Sequence, residues 1–164
     1  MNKNNANFLL LMRHAESDEA LIGNSDFARV LNKAGRQQAM HTAIKLRALD
    51  LKIAQALVSA AHRTRESYEI LLTKLTHKPE VFYDKKLYNN TYEEILQIIL
   101  EHAYACESII FVGHNPTLGN ILYYLTGENY MFKPASLVVL RGKKENLVES
   151  LIASQGFYVE VILS

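Results

Sequence analysis

Cysteine is nearly absent from this chain. Cys106 stands alone in 164 residues, so no internal disulfide and no cysteine-rich zinc site can form. Proline and glycine are scarce as well, at 3 and 7, and no Pro/Ser-rich linker, repeat or low-complexity tract divides the sequence. No charge of one sign dominates. The 18 Lys+Arg face 17 Asp+Glu, so the basic excess that suits a nucleic-acid backbone is missing, and no nucleic-acid partner is expected. Long hydrophobic runs are lacking too. The run Phe8 to Met12 stops at Arg13, too short for a signal-peptide core or a bilayer span. A cytoplasmic protein without a membrane partner is the expectation. What is there is 49% hydrophobic residues, enough for a core and against disorder, and the expectation is a single domain over 1–164.

The pattern of elements follows from periodicity and punctuation. Phe8 to Met12, Gln55 to Ser59, Glu80 to Tyr83, Ser108 to Val112 and Ser136 to Leu140 read as strands. Residues 16 to 31, with Gly23, Asn24 and Ser25, read as a long loop, a class of segment that is often functional. Helices are expected over Ala34 to Asp50, capped by Asn32, and over His62 to Lys74. A third runs from Thr91 to about Ala105, where Thr91 and Glu94 fit a capping box. Asn115-Pro116 predicts a helix start, with Asn115 as cap, and Gly127 a helix stop. A short helix near 145–153 and a strand near 157–162 complete the chain. Strands alternating with helices predict an α/β three-layer sandwich around a mostly parallel central sheet.

Three segments carry candidate chemistry: LMRHAES at 11–17, SAAHRT at 59–64 and FVGHNP at 111–116. In each, a cationic or imidazole side chain follows the carboxyl end of an expected parallel strand, where open α/β sheets bind ligands. Arg13, His14, Arg63 and His114 are thereby expected to converge on one crevice. Two guanidinium groups and two imidazoles make an anion site, because the arginine fork matches phosphate oxygens and histidine can donate or attack. The helix start at Asn115 adds backbone N–H groups, if it faces the same crevice. Taken singly, each arginine reads equally well as half of a surface salt bridge, and His14 as a polar cap at a strand end. Repetition at three strand ends favours the site. His41, His77 and His102 have no ligand spacing, so no metal is expected. Cys106 reads as a small buried residue, His62 as exposed, and Arg65 and Glu66 as solvated helix residues.

The Arg-His-Ala at 13–15 resembles the Arg-His-Gly signature of the histidine phosphatase (phosphoglycerate-mutase-like) superfamily, and in particular its SixA-type phosphohistidine phosphatases. LNKAGRQQA at 31–39, SAAHRTRES at 59–67 and VGHNPTLGNILYYLTGE at 112–128 are similar to further motifs of that family in the same order. The resemblance implies a phosphoglycerate-mutase-like fold and no cofactor. It makes His14 a nucleophile that forms a phosphohistidine intermediate. Arg13, Arg63 and His114 would hold the phosphoryl oxygens, with Asn115 beside them. Metal is then not needed, since the guanidinium groups neutralise the oxygens. Ala15 replaces the usual glycine and is small enough for a close backbone approach.

One departure concerns the proton donor. The family's acid falls in a Leu-Tyr-Glu-Ala type segment, which here reads LYNN at 87–90, with Asn89 in the acid's place. Asparagine cannot act as a general acid. Glu93 is a candidate substitute, although the first turn of a helix is the stronger explanation for it, and Tyr88, Asp84 or water remain open. A site without an acid favours a leaving group that needs none, such as the imidazole of phosphohistidine. The short chain leaves few residues for a cap over the crevice, which suits a phosphorylated side chain presented by another protein, such as a histidine-containing phosphotransfer domain. A general phosphomonoesterase and a non-catalytic phosphate-binding module are the alternatives.

Overall fold

A computed structural model describes residues 7–19 and 25–164. Six strands form one sheet: β1 (Phe8–Arg13), β2 (Gln55–Ser59), β3 (Glu80–Asp84), β4 (Ser108–Gly113), β5 (Leu137–Gly142) and β6 (Phe157–Leu163). Their order is β3-β2-β4-β1-β5-β6. The first four strands run parallel, as expected. On the β1 side β5 pairs antiparallel with β1 and β6 antiparallel with β5, so β5 alone runs against the other strands and the sheet is mixed. The connection of β5 to β6 through a short helix makes an antiparallel return, whereas parallel neighbours need a long crossover.

The apolar runs in β1, β4 and β5 are continuous because both faces of the sheet are covered. Successive strand side chains point to opposite faces. Leu10, Met12, Val58, Ile110 and Val112 pack with Ala39, Ala43, Leu46, Tyr68 and Leu71 of α1 (Lys33–Ala48) and α2 (His62–Leu72). Leu9, Leu11, Leu57, Ile109 and Phe111 pack on the other face. Their partners include Ile95 and Ile99 of α4 (Tyr92–Ala103) and Ile121 and Leu125 of α5 (Thr117–Thr126). Each such buried side chain stabilises by about 1.5–3 kcal/mol relative to exposure, so a register slip of one residue would cost an entire face. The helix α6 (Leu147–Ile152) closes this second layer.

Helix ends follow local chemistry. The Asn32 side chain accepts from the Gly35 N–H, and Thr91 with Glu94 makes the full capping box. Gly127 ends α5 in the left-handed conformation, at φ 78°. Gly35 answers a different need: a Cβ there would collide with the Glu16 carbonyl oxygen. The start of α5 differs from expectation. Pro116 is its cap residue and offers no side-chain hydrogen bond, while the Asn115 amide donates instead to the Phe132 carbonyl at 3.0 Å. A one-turn helix, α3 (Lys86–Asn89), follows β3 and was not foreseen. Within the expected loop 16–31, Asp26–Ala28 forms a 3₁₀ turn and Ser17 bridges to Leu31. Gly23 and Asn24 lie outside the described residues.

Candidate active site

Strand register brings the three motifs to one edge. Arg13 pairs with Gly113 and Val58 with Val112, so His14, His114 and Ser59 sit side by side at the carboxyl ends of β1, β4 and β2. The backbone fixes them there. His14 N–H donates to the Gly113 carbonyl, and Ala135 N–H donates to the His14 carbonyl. Ala135 itself has φ 60°, a conformation costly for a residue with a Cβ and held here by its neighbours. Arg63 comes from the first turn of α2, directly after β2, and is buried. Ala15 is fully buried, and its amide donates to the Ser67 hydroxyl at 2.9 Å, so that N–H is not free for a ligand.

The hydrogen bonds settle which nitrogen of each imidazole is bare. The Ala15 carbonyl can only accept, so His14 Nδ1–H donates to it at 2.8 Å. Nε2 is left with its lone pair and accepts from Arg63 Nε at 3.2 Å. Arginine can only donate, so His114 Nδ1 accepts from Arg63 Nη2 at 3.5 Å, and its Nε2–H donates to Ser59 Oγ at 2.8 Å. The two rings lie 5.2 Å apart between centroids. Burial is the main force that lowers the His14 pKa to about 4, with Arg63 and Arg13 adding to it. Burial likewise takes His114 to about 3, helped by His14 and Arg63. Both imidazoles are therefore neutral near pH 7, and His14 Nε2 carries an available lone pair with no proton to lose.

Arg13 is held differently. Its Nη1 donates to the Phe132 carbonyl at 2.9 Å, the same oxygen that Asn115 reaches, so Asn115 sits beside Arg13. Its Nε is buried without a partner among the described residues, and burial followed by the nearby Arg63 lowers its pKa. A buried N–H left unpaired is costly.

Glu93 does not join this group. It sits on the first turn of α4 beside Tyr92, Leu96 and Tyr124, and its own backbone N–H lowers its pKa. Asn89 is exposed, and Asp84 accepts from the Lys86 N–H. Tyr88 is at the site, with its ring 5.2 Å from that of His114. Sequence reasoning missed Asp26, whose carboxylate meets Arg63 at 2.9 Å and Arg29 at 2.8 Å. The i,i+3 spacing of Asp26 and Arg29 was a readable signal of a structured turn. Glu66 is not solvated as expected, since it accepts from Leu31 N–H and Arg36 and ties α2 to the start of α1. Arg65 stacks over Tyr83 at 4.8 Å. Among the described residues no group of three or more His, Cys, Asp or Glu could hold a metal, and no helix is long and apolar enough to cross a membrane.

The profile of the histidine phosphatase superfamily, branch 1, matches residues 9–98, and the chain belongs to that superfamily. Solved structures sharpen the placement. A candidate phosphohistidine phosphatase SixA from Agrobacterium tumefaciens aligns at 25% identity with a TM-score of 0.82, covering 96% of this chain and 97% of its own. The protein histidine phosphatase SixA complexed with tungstate aligns at 19% identity and TM-score 0.81, over 96% of each chain. A mycobacterial glucosyl-3-phosphoglycerate phosphatase shares the fold at 14% identity and TM-score 0.72, over 95% of this chain and 98% of its own. No curated protein matches the chain by sequence. The SixA-type resemblance thus extends over nearly the whole chain, and the fold is phosphoglycerate-mutase-like. Family and neighbours support a phosphatase-class hydrolase.

Proposed function

We propose that this protein is a phosphohistidine phosphatase that removes a phosphoryl group from a histidine of another protein, through a phosphohistidine formed on His14. His14 Nε2 attacks phosphorus, and the bond from phosphorus to the substrate imidazole breaks. A substrate ring protonated on its other nitrogen then leaves as neutral imidazole and needs no acid from the enzyme. Water attacks the phosphoryl group in the second step, the His14 Nε2–P bond breaks and its electron pair returns to Nε2. Inorganic phosphate is released, and the proton lost by water passes to phosphate or solvent. Arg13 and Arg63 bind the equatorial oxygens, with Asn115 beside Arg13, and His114 joins them in the tautomer in which the Ser59 hydroxyl donates to Nε2 and Nδ1 carries the proton. Positioning and charge stabilisation carry most of such a reaction.

The observation that carries the substrate class is the state of the carboxylate at the site. Among the described residues Asp26 is the carboxylate in contact with this group. Hydrogen bonds from Tyr88, Arg29 and Arg63 hold its pKa far below the usual range. An acid that weak in proton affinity has no proton to give near neutral pH, and Asn89 has none either. An alkoxide leaving group would go unprotonated, whereas imidazole has a reference pKa of about 6.5 and departs readily.

The test compares initial rates on a phosphohistidine protein and on an alkyl phosphate, phosphoserine, for wild type beside His14→Ala. A strong preference for phosphohistidine that disappears in His14→Ala is expected. Comparable rates on both substrates would overturn the substrate class, and an active His14→Ala would overturn the mechanism.

A further inference from the structure

The guanidinium of Arg63 has two edges, each presenting a pair of donors. One edge, Nε and Nη2, faces the bare imidazole nitrogens of His14 and His114, at 3.2 and 3.5 Å. The other edge, Nη1 and Nη2, is occupied by Asp26: Nη1 donates to its backbone carbonyl at 2.7 Å and Nη2 to its carboxylate at 2.9 Å. The carboxylate is fixed in turn. It accepts from the Tyr88 hydroxyl, and its second oxygen accepts from Arg29, which also reaches the Asp18 carbonyl and the Ser17 hydroxyl. The Tyr88 ring lies edge-on to Phe27 and to His114, and the Arg63 guanidinium sits 5.7 Å from its centroid.

A carboxylate on an arginine that should bind phosphate has two readings. It competes with the phosphoryl group if it covers the edge that the phosphoryl group needs. It orients the arginine if it covers the opposite edge. Here the edge toward the nucleophile stays clear of carboxylate, and a planar fork clamped on one side has a fixed direction on the other. Building on the phosphatase reading above, we infer that Asp26, held by Tyr88, is a positioning residue that aims the Nε–Nη2 edge of Arg63 at the phosphoryl group. Asp26 does not touch the reacting atoms and acts through Arg63. The 3₁₀ turn of the long loop is thereby part of the catalytic apparatus, and LYNN keeps a role through Tyr88 although its acid is gone.

The experiment is a double-mutant cycle on the full chain with a phosphohistidine protein as substrate, reading kcat and KM separately. Asp26→Asn is expected to lower kcat roughly 10- to 100-fold, the range of a hydrogen bond to a charged group. In an Arg63→Ala background the same change should cost less than about twofold, because the residue it positions is gone. Tyr88→Phe should show the same coupling with a smaller loss, roughly 2- to 10-fold. Asp26→Glu, which keeps the charge, should recover part of the Asp26→Asn loss. Losses of equal size in both backgrounds would mean a role in loop folding and overturn the inference, as would an unchanged kcat in Asp26→Asn. If Asp26→Asn fails to fold by circular dichroism, the Tyr88→Phe cycle decides by the same criterion. A wild-type enzyme without His14-dependent turnover would overturn the phosphatase reading and this one with it. An active wild type with an indifferent Asp26→Asn overturns this one alone.

Discussion

The two ends of the parallel strands are built on opposite rules. At the amino end, Asn7 donates to the Lys144 carbonyl at 3.0 Å and accepts from Ser150 at 3.2 Å. Ser108 donates to the Lys52 carbonyl at 2.8 Å and accepts from the Ala54 N–H at 2.9 Å. These groups are neutral, buried and matched. At the carboxyl end, Arg13, Arg63, His14 and His114 crowd together, and the Arg13 Nε has no partner. The first end is finished when the chain folds. The second gathers two guanidinium groups and two imidazoles and leaves the Arg13 Nε unpaired. Cationic and imidazole groups gathered at one strand end, against a neutral and matched other end, are the arrangement expected of a site for an anionic ligand.

The contrast can be broken from either side. Arg63→Ala should cost about 2.7–4 kcal/mol of transition-state stabilisation while leaving the melting temperature nearly unchanged, read by kcat/KM beside a thermal melt. Acid should reveal the carboxyl end in stability. The folded pKa of His14 is depressed to about 4 and that of His114 to about 3, below the unfolded value, so unfolding takes up protons in that window. Stability is then full above about pH 6.5 and falls as pH drops toward 4 and below, by on the order of 3 kcal/mol per histidine. Urea midpoints across that range should flatten in His14→Ala, and NMR titration of the imidazole resonances should find them moving well below pH 6. Asn7→Ala attacks the finished end. It should lose about 1–3 kcal/mol of stability and keep kcat within about twofold, since a buried network is opened far from the site. The smallest effect is expected from Thr91→Ala, about 1 kcal/mol in a denaturant titration, by loss of the capping box. That change lies at neither end, and it measures how far an ordinary surface defect propagates to turnover.

Local features were read well and distant ones were not. The capping box at Thr91 and Glu94, the Asn32 cap and the stop at Gly127 depend on residues within one turn of each other, and each is present as expected. The cap at Asn115 failed for the opposite reason: its side chain is drawn away to Phe132, a partner 17 residues on. Glu66 read as solvated because nothing near it in sequence asks for a carboxylate, yet Leu31 and Arg36 do. The reversed direction of β5 was equally hidden, since an apolar run looks the same whichever way its neighbour runs.

By itself the sequence determined the element pattern and the four cationic or imidazole positions, because periodicity, caps and strand-end placement are set by neighbouring residues. Only the tertiary structure decided how those positions are used. Hydrogen bonds to Ala15 and Ser59 choose the bare nitrogen of each imidazole, burial keeps both rings neutral, and Asp26 arrives from a loop to take one edge of Arg63. Proton placement and side-chain direction depend on which groups meet in space and on how much water they lose, and these are properties of the folded chain.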